Sequence, residues 1–111
     1  MNTTSSAPII TPVSAAVLLC FLPSATSQDA LLARAFMTEL THRLQQGLSG
    51  SIRILKVDES LHPDIVKSFQ LNQLPAFVLV EQGIERWRQE DIRTFDGNAS
   101  LPDLLQTING I

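Results

Sequence analysis

Residues Cys20 to Leu32, CFLPSATSQDALL, read as the end of an apolar strand, a short turn and the start of a helix. A strand that delivers the chain to a helix N-terminus favours chemistry, because unpaired backbone N–H groups and the helix dipole stabilise negative charge there. The turn nevertheless holds only Pro23, Ser24, Ala25, Thr26, Ser27, Gln28 and Asp29, with no nucleophile of lowered pKa among them. Cys20 is the single cysteine of the chain, so one copy cannot form an internal disulfide, a CxxC motif or a zinc knuckle. His42 and His62 have no metal-ligand spacing with each other or with Cys20. Ser, His and Asp all occur, but no spacing proposes a hydrolase triad. No catalytic residue, metal or cofactor is expected.

The chain has 111 residues, enough for one domain that buries its own core. Apolar residues make up 44 % and charged residues 17 %, as in ordinary globular proteins. With eight scattered Lys and Arg and a net charge of −3, it has no electrostatic footprint for nucleic acid or an anionic membrane. Ser14–Ser27 resembles a signal peptide in being apolar and then small. No Lys or Arg precedes it, however, and the apolar run is too short to span a bilayer. Residues 1–14, polar and interrupted by Pro8 and Pro12, are expected to form a flexible arm before a domain at 15–111. The expected location is the cytoplasm, where a lone reduced thiol is ordinary.

The elements follow from periodicity. Ala15–Leu22 is continuously apolar, as in a central strand covered on both faces. Pro23 stops it, and a helix begins near Ser27 with Thr26 or Ser27 as N-cap and Asp29 in the first turn. Leu32, Phe36, Leu40 and Leu44, flanked by Ala33, Met37 and Leu48, predict one buried stripe, which Gly47 and Gly50 end. Ser51–Val57 alternates as a second strand, and Pro63 suits the first position of a short helix with Ile65, Val66 and Phe69 on its apolar face. Pro75 opens the strand Ala76–Val80, and Gln82-Gly83 turns it into Ile84–Arg88. Gln89–Asn98 reads as a polar connection or a continued, bulged strand. Ser100 and Asp103 have capping-box spacing, and Leu101, Leu104, Leu105 and Ile108 line one side of a terminal helix.

This β-α-β-α-β-β-α order, with KVD…HPDIVKSFQLNQLPAFVLVEQG over Lys56–Gly83, resembles the thioredoxin family. The distinctive features are Asp58 ending the second strand, Pro63 opening a helix, and FQLNQLP leading into an apolar strand and a glycine hairpin. The resemblance implies a minimal thioredoxin-like α/β fold: a central mixed four-stranded sheet with helices on both faces and a cis Leu74-Pro75 bond beside the active-site position. It covers roughly Ala15 to Ile108.

In that family the turn after the central strand carries two cysteines separated by two residues. The resemblance places Thr26 and Asp29 there, with Ala25 at the position of an aromatic residue and Cys20 at that of a buried carboxylate. Thiol–disulfide exchange needs a thiolate and a resolving partner, and a hydroxyl cannot substitute. Cys20 itself reads as a buried apolar residue. The resemblance therefore implies a domain without dithiol activity that acts as a protein-binding adaptor or chaperone-like module. Family members without the cysteines, such as the thioredoxin-like proteins of hydrogenase maturation, are its analogues. The alternative is redox chemistry through Cys20 alone or with a partner's cysteine. For a protein or peptide partner the candidate surface is Ala25, Thr26, Leu74, Pro75 and Gly97. Trp87, between Arg86 and Arg88, is either part of a charged edge strand or a second anchor.

Overall fold

The computed structural model describes residues 16–92 and 100–111. The continuous apolar run becomes β1 (Ala16–Leu22), followed by α1 (Gln28–Gly47), β2 (Ile52–Asp58), α2 (Pro63–Ser68), β3 (Ala76–Glu81), β4 (Ile84–Gln89) and α3 (Ser100–Asn109). The strands form one sheet in the order β2-β1-β3-β4. β1 pairs in parallel with β2, from Ala16 opposite Ile52 to Leu22 opposite Asp58, and antiparallel with β3. The mixed sheet and the element order are those expected from the sequence.

β1 is apolar throughout because both of its faces are covered, and its alternate residues go to different cores. Leu18, Cys20 and Leu22 meet Met37, Leu40 and Leu44 of α1, Leu104 and Ile108 of α3, and Phe77 and Leu79 of β3. On the other face Phe21 meets Val57, Val66 of α2, Ala76 and Val78. Phe21 also takes the edge of Phe69, with ring centroids 5.4 Å apart.

Gly47 permits the close approach of α1 and α3, since a Cβ there would come within 2.8 Å of Leu105 Cδ1. Asn109 fastens the same corner: its Nδ2 donates to the Gly47 carbonyl (3.1 Å) and its Oδ1 accepts from the Ser49 N–H (2.8 Å). Gln82 and Gly83 join β3 to β4 with φ of 54° and 79°, the positive values that a two-residue hairpin with the right-handed twist demands.

Several sequence expectations change. The buried stripe of α1 is Met37, Leu40, Thr41 and Leu44, whereas Leu32 is 60 % exposed and Leu31 51 % exposed. The N-cap is Ser27, whose Oγ accepts from the Ala30 N–H at 3.1 Å, leaving Thr26 one residue outside the helix. Ile65 is exposed, and α2 is anchored by Val66 alone among its buried residues. β4 ends at Gln89, and the irregularity in its pairing lies earlier: Leu79 opposes Trp87 and Val80 opposes Glu85, making Arg86 the extra residue. Ala15, the arm 1–14 and the stretch 93–99 with Gly97 lie outside the described residues.

Candidate functional site

The site grows from the C-terminal end of β1, where the chain leaves the sheet at Pro23. Thr26 N–H donates to the Ser24 carbonyl at 2.9 Å, closing a tight turn that aims the chain into α1. Two long-range contacts hold that turn. The Glu59 carboxylate accepts from the Ser24 N–H (3.2 Å) and hydroxyl (3.3 Å). Arg34 reaches back along α1, donating to the Pro23 carbonyl at 3.0 Å while its guanidinium lies 2.9 Å from the Asp58 carboxylate. Asp58 also accepts from the Ser60 N–H (2.9 Å) and hydroxyl (2.6 Å). The Ser60 hydrogen bonds, with the Arg34 charge behind them, hold its carboxyl below the usual carboxylate range.

Facing this turn is the loop before β3. The Leu74-Pro75 bond is cis, as the resemblance implied. The loop is clamped from β4. Glu90 accepts from the N–H groups of Asn72 (2.8 Å) and Gln73 (2.9 Å), which lowers its pKa. Arg88 donates to the Phe69 carbonyl at 2.8 Å and forks onto both oxygens of Glu85 at 2.7 Å. Pro75 is buried, and its carbonyl accepts from the Ile92 N–H at 2.9 Å. The Leu74 N–H and C=O, one residue earlier, make no hydrogen bond to a described residue.

Between turn and loop lies a groove of about 470 Å³, lined by Pro23, Asp29, Ala30, Leu32, Ala33, Leu74 and Pro75. Of the proposed surface, Leu74 and Pro75 line it. Ala25 and Thr26 are exposed on the turn leading to it. Trp87 stands apart, half-buried against the larger core. Sequence reasoning missed Leu32 as a groove residue by placing it in the core stripe. The adjacent pair Leu31-Leu32 carried the signal, since two consecutive residues cannot both face one narrow helical stripe.

Cys20 is fully buried in the strand, and desolvation pushes its thiol up to about 12 although Lys56 draws it down. Thr26 and Asp29, which the resemblance places at the family's two cysteine positions, stand just before and within the first turn of α1. The arrangement offers a peptide-sized groove whose Leu74 backbone pairs with no described residue and which Cys20 does not line.

No protein-family model matches the chain. It is 26 % identical over 73 residues to Thioredoxin Y1, chloroplastic, of Arabidopsis thaliana, a match covering 66 % of this chain and 39 % of that protein. Among solved structures it superposes on thioredoxin-2, a component of malaria parasite protein secretion machinery, with a TM-score of 0.69 at 19 % identity. That superposition covers 88 % of this chain and 84 % of the other. A thioredoxin variant from Halobacterium salinarum gives 0.63 at 14 % identity over 88 % and 78 % of the two chains. Thioredoxin of Fasciola hepatica gives 0.58 at 13 % over 85 % and 81 %. The fold is that of thioredoxin. The chain has one cysteine, and therefore no pair of cysteines for a dithiol site within one copy.

Proposed function

We propose that the chain is a non-catalytic thioredoxin-like domain that binds an extended segment of a protein partner, as an adaptor or chaperone-like module. The groove beside Leu74-Pro75 carries this reading: it has an apolar wall and a Leu74 backbone paired with no described residue, while positions 26 and 29 hold Thr and Asp. A peptide laid along Leu74 would gain main-chain hydrogen bonds there and apolar contact with Leu32, Leu74 and Pro75. The alternative, redox chemistry through Cys20, is opposed by its burial and raised pKa, which leave little thiolate at neutral pH. Among the described residues no helix is long and apolar enough to cross a membrane. We assign the domain to the cytoplasm, on the ordinary status of a reduced buried thiol there.

The test is capture of partners from the native host by wild-type protein and by Leu74→Asp. Partners retained by wild type and lost with Leu74→Asp support the groove. Equal retention would overturn it and direct attention to Trp87. Maleimide labelling of the native protein checks the redox alternative: Cys20 should react only after denaturation, and rapid native labelling would favour that alternative.

A further inference from the structure

Asp29 is the one charged side chain among the described residues lining the groove. It makes no ion pair with a described residue. Glu59 is held behind the Pro23–Ser24 turn by Ser24 and does not line the groove. The nearby cation, Arg34, is paired with Asp58 and donates to the Pro23 carbonyl. Among the described residues the groove lining thus carries one carboxylate with no cationic partner, on a chain whose net charge is −3. Asp29 also occupies the first turn of α1, where its carboxylate already answers the positive end of the helix dipole. An anionic ligand would meet repulsion at a helix end that otherwise attracts it.

Resting on the groove reading above, we propose that the groove selects extended apolar peptides carrying a lysine or arginine beside their apolar residues. The apolar side chains lie on Leu32, Ala33, Leu74 and Pro75, and the cation lies toward Asp29. Charge complementarity of this kind decides which partner is accepted more than how tightly it is held.

The experiment uses the full chain and short synthetic peptides with a common Leu-Val-Leu core and lysine, norleucine or glutamate at one flanking position, read by fluorescence anisotropy. At low ionic strength the lysine peptide should bind about tenfold tighter than the glutamate peptide, because exposed pairs contribute modestly and the exchange turns attraction into repulsion. The ratio should shrink as salt shortens the screening length. Asp29→Asn should bring the ratio close to one. If lysine and glutamate peptides bind alike, or if the ratio survives Asp29→Asn, the charge selection is wrong while the groove stands. If no peptide binds, or all bind Leu74→Asp as well as wild type, the groove reading falls and the selection with it. A concentration-dependent dimer dissociated by Leu74→Asp would make a second copy the occupant and overturn the proposal.

Discussion

The α1 N-terminus and the Leu74-Pro75 loop face each other across one groove, both held by distant side chains, yet they present different things to it. On the helix side Glu59 and Arg34 hold the turn, Ser27 caps the helix, and the exposed residues Ala25, Thr26, Gln28 and Asp29 carry no thiol. On the loop side the backbone is clamped from a distance, by Glu90, Arg88 and the Ile92 N–H. A reaction depends on a few side chains that a substitution removes without disturbing the fold. A binding edge depends on backbone placement that many contacts enforce. The difference teaches that the chemistry a fold supports and its backbone geometry are separable, and that a single cysteine leaves no dithiol pair in one copy of this chain.

The most direct way to sharpen the contrast is to put the chemistry back. The double change Thr26→Cys and Asp29→Cys should take disulfide reduction by a thiol reductant from undetectable to measurable. The helix N-terminus lowers the pKa of the thiol introduced at position 26, and removing Asp29 takes away an opposing charge. Activity should stay weak because Cys20 offers no carboxylate for proton transfer. If mild oxidation closed no bridge between the two new thiols, Thr26 and Asp29 would not be the vacated pair.

The clamped side should be sensitive to its core. Phe21→Ala removes the ring that packs on Phe69 and should cost about 3–4 kcal/mol in urea unfolding. It should weaken peptide binding at Leu74 more than it alters the exposed helix end. A loss below about 1 kcal/mol would show that the loop does not lean on this core.

Cys20 separates burial from reactivity through pH. Its thiol titrates near 9.0 when exposed and near 12 when folded, so the unfolded state loses its proton first as pH rises. Stability should be complete below pH 9.0 and fall by about 1 kcal/mol per pH unit above it. The chain has no tyrosine to complicate that range, and Cys20→Val should abolish this component. An unchanged alkaline slope in the variant would show that Cys20 is not desolvated.

The smallest effects concern the clamp's charges. Glu85 and Glu90 titrate below the usual 4.5 when folded, so their contribution is full above that pH and is lost as pH falls through their lowered values. Glu90→Gln should lower protection at Asn72 and Gln73 slightly and leave the position 26 turn unaffected, as amide exchange at Asn72 and Gln73 against Ala30 would report. Equal protection losses at both places would mean that the two sides are not independently held.

The order of elements, the two cores and the Gly-containing hairpin follow from the sequence because each rests on local periodicity or backbone preference. β1 is apolar at every position, α3 repeats at helical spacing, and Gln82-Gly83 tolerate positive φ. The single cysteine is equally local, and it alone excludes a disulfide pair within one copy. The groove was less legible: Leu74 and Pro75 came from the resemblance, and Leu32 was assigned to the core. Periodicity reports which residues share a helix face, but burial depends on what lies opposite, and Leu32 lines the groove rather than the core. Which of Thr26 and Ser27 caps the helix was likewise decided by the turn that Glu59 and Arg34 hold in place. The clamp by Arg88 and Glu90 joins residues far apart in sequence through hydrogen bonds that leave no pattern in the chain, so tertiary structure alone could place it.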